Sequence, residues 1–119
     1  MSTANFKDVE LKCKCGDFMC ISPKPSSELL AVLELVRLKF GKPVLITSGH
    51  RCESHNAKVG GAKKSRHLKA DAADIKINGV LPGDVYNYLD SVFPNQYGLG
   101  KANKFTHIDV RANKARWEY

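Results

Sequence analysis

Three side chains in this sequence combine residue types and spacing suited to holding a metal ion. His67 and Asp74 lie in Ser65-Arg66-His67-Leu68-Lys69-Ala70-Asp71-Ala72-Ala73-Asp74, and His107 lies in Phe105-Thr106-His107-Ile108-Asp109-Val110-Arg111. A neutral imidazole nitrogen and a carboxylate oxygen are both ligands that a borderline-soft ion such as zinc accepts in tetrahedral geometry. Two His and one carboxylate leave the fourth position open, and an open position separates a catalytic zinc site from a structural one. Four His are present in the chain, and a lone His is more often a satisfied surface or core residue, so the surrounding residues have to decide.

Upstream of His67 stand Ser48-Gly49-His50-Arg51, then His55-Asn56, then Val59-Gly60-Gly61-Ala62-Lys63-Lys64-Ser65. This succession resembles the zinc D-Ala-D-Ala carboxypeptidase family, whose relatives include vancomycin-resistance dipeptidases, phage endolysins of the L-Ala-D-Glu type and the hedgehog signalling domain. Its members carry a Ser-Gly-Tyr-Arg element, a Ser-x-His-x6-Asp element and a later His on a strand. The likeness runs from about Phe6 to Trp117 and is greatest to small phage-type peptidoglycan peptidases.

The resemblance implies Zn2+ as cofactor, with His67, Asp74 and His107 as its ligands. The ion would lower the pKa of a water and polarise the scissile carbonyl. Arg51 matches the family Arg that contacts substrate and stabilises charge on the tetrahedral intermediate, a task suited to a guanidinium fork, with a structural salt bridge as the alternative. Ser65 is placed to orient the site by hydrogen bonding, or is a turn residue. His50 stands where the family has Tyr: a metal-proximal group, a substrate contact or a neutral replacement. Relatives carry a general base as Glu three residues before the second His, or as His two before it; here those positions hold Lys104 and Phe105. Asp109 is the nearest carboxylate, nominated as general base or, equally, as a carboxylate that orients His107. His55 reads as a capping or surface residue. The implied partner is the peptidoglycan stem peptide. Delivery to the wall would come after release from the cell or as part of a phage particle.

These groups need a scaffold, and the chain offers one. Residues 1–25 are polar and turn-rich, ending in Ser22-Pro23-Lys24-Pro25, and read as an arm laid over one domain of residues 1–119. Ser26 or Ser27 caps a helix whose stripe is Leu29, Val32, Leu33, Val36 and Phe40, with Glu28 in the first turn and Gly41 ending it. Val44-Leu45-Ile46-Thr47 reads as a buried strand, and residues 52–64 as a short helix and a flexible loop. Residues 72–77 form the next strand, aiming Asp74 at the site while Ala73 and Ile75 pack on the other face. Asn78-Gly79 turns the chain, and Val85, Leu89 and Val92 mark a helix with Pro82 near its first turn and Pro94-Asn95 after it. Tyr97-Gly98-Leu99-Gly100 begins the return to the strand bearing His107. On that strand Thr106, Ile108 and Val110 face the core, and His107, Asp109 and Arg111 the other side. The expected fold is α+β, hedgehog/DD-peptidase-like, a small antiparallel sheet with helices packed on one face.

A chain of 119 residues is long enough to bury a core without staples. The net charge of +7, from 19 basic and 12 acidic residues, points to anionic surroundings: nucleic acid, a membrane face or a cell-wall polymer. The basic residues are dispersed and not interleaved with aromatics, so no nucleic-acid partner is expected. Residues 1–9 contain Lys7, Asp8 and no apolar run, which reads as neither a secretory signal nor a membrane span, giving synthesis in the cytoplasm without stable membrane insertion. The oligomeric state is not readable. Cys13, Cys15, Cys20 and Cys52 read as reduced thiols, as disulfides formed after release, or, ranked last because no Cys-x2-Cys pair occurs, as a structural zinc site. Small phage relatives carry cysteines at similar places, implying that the N-terminal segment packs near Cys52. Three functions compete: a zinc peptidase cutting a bond that involves D-amino acids, a zinc-containing wall-binding module without turnover, and a basic nucleic-acid binder whose affinity falls steeply with salt.

Overall fold

The first helix, α1 (Ser27–Phe40), begins where the Ser26 hydroxyl accepts the Leu29 N–H at 3.4 Å and ends at Gly41, whose φ of 63° is the left-handed conformation glycine adopts freely. The computed structural model describes residues 6, 11–16, 25–61 and 66–119. After α1 come β1 (Leu45–Ser48), α2 (Glu53–Lys58), a single 3-10 turn (Arg66–Lys69), β2 (Ala72–Lys76), α3 (Pro82–Val92), β3 (Gly98–Lys101), β4 (Thr106–Asp109) and β5 (Ala115–Glu118). Pro82 opens α3 at a position whose N–H has no intrahelical partner to lose.

The strands form one sheet in the order β1-β2-β4-β3-β5. One face carries Ala73, Ile75, Leu99 and Ile108, which share a single apolar cluster with Leu29, Leu30, Leu33 and Val36 of α1 and Val85 and Leu89 of α3. Each large aliphatic side chain fully buried there contributes about 1.5–3 kcal/mol. The fold is α+β as expected, with α1 and α3 on the same face of the sheet. Phe6 and Leu11 also belong to the cluster; the remainder of segment 1–25, apart from residues 12–16 and Pro25, lies outside the described residues.

The sheet is mixed rather than purely antiparallel. Its neighbours are antiparallel except β5, which pairs parallel to β3. The cause is the path after β4. A short link carries the chain past β3 to that strand's open edge, and the reversal that makes β5 antiparallel to β4 makes it parallel to β3. Sequence reading missed both β3 and β5, because two glycines in Gly98-Leu99-Gly100 read as a return and a four-residue terminal strand carries little pattern. Among the described residues no helix is long and apolar enough to cross a membrane.

Candidate metal centre

Register builds the site. In the antiparallel pairing of β2 with β4, Asp74 lies opposite His107. The alternation that turns Ala73, Ile75 and Ile108 into the core turns Asp74, His107 and Asp109 to the other face. Extending the row across the sheet, His107 is paired with Gly100, and Gly100 with Trp117. With no side chain at Gly100, the Trp117 ring lies 5.0 Å from the His107 ring, centroid to centroid. His67 enters from the 3-10 turn and is 2% exposed.

Three ligand atoms converge. Asp74 Oδ1 lies 3.2 Å from His67 Nε2 and 3.0 Å from His107 Nδ1. These separations are close to the edge of about 3.3 Å of a tetrahedron with bonds of about 2.0–2.1 Å to zinc. Behind each ring stands an acceptor: the Gly49 carbonyl 2.6 Å from His67 Nδ1, and Asp109 Oδ2 2.8 Å from His107 Nε2. Each rear nitrogen therefore carries its proton, which leaves the front nitrogen as a lone pair in the neutral ring. Two lone pairs aimed at a carboxylate oxygen repel unless a cation sits among them or the rings are protonated. The donor set thus fits a divalent metal, and the rear acceptors are the partners that fix ligating imidazoles.

The electrostatics agree. Burial alone would raise the Asp74 carboxyl, but the His107 and His67 hydrogen bonds outweigh it and bring its pKa down to about 2. Burial alone would lower His107, yet its bonds to Asp109 and Asp74 raise it above the ordinary imidazole value. Asp109 is held well below the carboxylate range: burial opposes ionisation, and His107 and Arg111 overcome it.

Asp109 departs from one of its expected roles. It is fully buried. Its Oδ1 accepts the Arg111 Nε–H at 2.7 Å and the Arg111 backbone N–H at 3.2 Å, while Oδ2 accepts from Arg111 Nη2 and His107 Nε2, each at 2.8 Å. A carboxylate so engaged turns its oxygens to His107 and Arg111 and is absent from the lining of the cleft, a geometry that fits the orienting alternative and speaks against the general base. Gly98 makes this possible, because a Cβ there would collide with both Asp109 carboxylate oxygens.

Arg51 is fixed by Ser48 Oγ at 3.1 Å from Nε and by Asn56 Oδ1 at 3.0 Å from Nη1, and its Nη2 lies 3.4 Å from Asp74 Oδ2. The Asp74 carboxylate is therefore divided, one oxygen toward the imidazoles and the other toward the guanidinium. Arg51, His67, Asp74 and His107 all line one cleft of about 840 Å³. His50 does not. It is 7% exposed, its backbone N–H donates to the Leu11 carbonyl, and burial together with the neighbouring His67 lowers its pKa. Its burial outside the cleft lining speaks against the direct substrate contact among the three expected roles. Ser65 lies outside the described residues. His55 lines the cleft, half-buried, and among the described residues its buried Nδ1 has no hydrogen-bond partner. Sequence reading missed the aromatic wall of Phe105, Trp117 and Tyr119; the alternation of Trp117 and Tyr119 at the chain end was its one signal.

An open cleft floored by two imidazoles and one carboxylate, their rear nitrogens held by fixed acceptors, is a candidate site for a divalent metal on an α+β domain. The sequence profile described as peptidase M15 matches residues 4–109. The chain belongs to that family, the zinc-dependent D-Ala-D-Ala carboxypeptidase family. No curated protein matches it.

Proposed function

We propose that this chain is a zinc metallopeptidase that hydrolyses a peptide bond involving D-amino acids in the peptidoglycan stem peptide, as a D-Ala-D-Ala carboxypeptidase or an endolysin-like endopeptidase. The observation that carries the reading is the convergence of His67 Nε2, Asp74 Oδ1 and His107 Nδ1 beside an open cleft, with each rear nitrogen satisfied. Zinc held by these residues supplies Lewis acidity that polarises a carbonyl and makes water nucleophilic near neutral pH.

The chain's own residues have distinct tasks. Gly49 and Asp109 hold the imidazole protons at the rear, keeping the front nitrogens as ligands. Arg51, immobilised by Ser48 and Asn56, offers a guanidinium to the charge that develops on the substrate carbonyl oxygen. Lys14, Arg51, Arg66 and Arg111 give the cleft a cationic lining, which suits the carboxylates of a stem peptide. Family membership supports the substrate class; the site by itself supports hydrolysis.

A non-catalytic wall-binding module is the second reading, favoured by one observation: Asp74 is the only carboxylate side chain among the described residues of the cleft, and Asp109 is locked away from it. Digestion of purified peptidoglycan decides. The peptidase reading expects zinc-dependent release of new amino termini that disappears in His67→Ala. Retention of the wall without any change in its muropeptides, with zinc bound, would replace it by the binding module.

A further inference from the structure

A second group of metal-ligating side chains lies apart from His67, Asp74 and His107. The sulfurs of Cys13, Cys15 and Cys52 lie within 4.8 Å of one another, and all three residues are half-buried. Along the chain, Cys13-x-Cys15 is a poor zinc spacing, and it speaks against a metal on sequence alone; the fold supplies a third sulfur from 37 residues farther on. We infer that Cys13, Cys15 and Cys52 form a second, structural metal site for a thiophilic divalent cation, zinc foremost, which clamps segment 11–16 onto the loop that carries Arg51.

Three observations support it. Three sulfurs at mutual reach are more than a disulfide uses, since a disulfide consumes two, whereas a tetrahedral thiolate site employs all three and takes one further donor. The Cys52 backbone N–H donates to Cys13 Sγ at 3.3 Å, which holds that sulfur against the Cys52 backbone, on the side where the third sulfur stands. The two segments are also positioned without the metal: the His50 N–H donates to the Leu11 carbonyl at 2.8 Å, and at Gly49 a Cβ would lie 2.5 Å from the same carbonyl oxygen. Binding then displaces the thiol protons and adds its free energy to a contact already made.

The placement has a consequence for the first site. The clamped loop includes Gly49, whose carbonyl holds His67 Nδ1, and Arg51, one residue before Cys52. Metal at the cysteines restrains the segment that orients one ligand and presents the guanidinium.

Metal analysis and cobalt spectroscopy on the full chain test the inference. Protein purified under reducing conditions from zinc-supplemented medium is expected to carry two zinc ions per chain. Cobalt-exchanged protein is expected to show the near-ultraviolet thiolate-to-cobalt charge-transfer band, which a His/Asp site cannot produce. His107→Ala is expected to keep that band while losing one equivalent of metal, and Cys15→Ser to lose the band while keeping the other equivalent. Should Cys15→Ser fail to fold, the wild-type and His107→Ala spectra still decide. A wild-type protein without the band overturns the site, as does an intact mass lighter by the two hydrogens of each disulfide formed, with no metal at sulfur. Loss of the His/Asp/His metal with the band intact would count against the proposed peptidase alone.

Discussion

Replacing Asp109 by Asn removes one charge at the most crowded point behind the metal centre, and the geometry dictates the response. The Asn amide has one acceptor oxygen where Asp109 has two. If that oxygen keeps the position of Oδ2 and receives His107 Nε2–H, the amide NH2 confronts the Arg111 Nε–H and backbone N–H, now 2.7 and 3.2 Å from the other oxygen. If instead the oxygen faces Arg111, the NH2 faces His107 Nε2, which must give up its proton. The His107 proton then moves to Nδ1, the atom aimed at Asp74 and the metal. Either outcome leaves a buried donor unmatched, costing about 1–3 kcal/mol of stability, and the second also blocks a ligand. Zinc affinity is expected to fall about 10- to 100-fold, about 1.4–2.7 kcal/mol, with turnover at saturating zinc largely preserved. Competition with a chromophoric chelator gives the affinity, and peptidoglycan hydrolysis at graded zinc gives the turnover. Unchanged affinity with turnover lower by about a hundredfold or more would refute the reasoning and restore Asp109 as a proton acceptor.

Arg51→Ala is expected to retain zinc, because Arg51 contacts Asp74 Oδ2 and not the oxygen shared with the imidazoles, while hydrolysis drops by about a hundredfold or more; zinc analysis beside the activity assay checks both, and loss of metal would make the residue structural. Gly98→Ala drives a Cβ into the Asp109 carboxylate, so it is expected to lower the melting temperature and to weaken zinc binding in the manner of Asp109→Asn, as calorimetry with a metal titration will report. The pH dependence has two limbs in protein stripped of metal. The raised His107 pKa contributes stability that is complete below its unfolded value of about 6.5 and is lost as pH rises through the folded value. The depressed Asp74 pKa contributes stability that is complete above its unfolded value of about 3.9 and is lost as pH falls toward about 2. Thermal unfolding across pH should therefore show the highest midpoint between these limits. Zinc competes with the same His107 proton, so as pH falls its affinity should begin to decline already above pH of about 6.5; a zinc affinity flat down to pH of about 5 would contradict the assignment.

The local code carried the candidate ligands and most of the scaffold. His67 and Asp74 were legible because a short motif holds both, and His107 because period-two alternation around it names a strand and its faces. The helix at Ser27–Phe40 was legible because its cap, its apolar stripe and the glycine after it are all local. Tertiary structure decided everything that depends on what lies across from a residue. Asp109 is a carboxylate near a ligand in sequence terms, and only the packing of Arg111 and the bare backbone of Gly98 turn it into a buried acceptor behind His107. His50, next to Arg51 in the chain, stays out of the cleft that Arg51 lines. Trp117 meets His107 only because β5 crosses to the free edge of β3, opposite a glycine. The cysteines show the same division: their spacing speaks against a metal when read along the chain, and three sulfurs come within mutual reach only when the fold lays segment 11–16 beside Cys52. Side-chain type and periodicity are properties of adjacent residues and survive in the sequence, whereas hydrogen-bond partnership and cleft membership arise from contacts between segments far apart along the chain.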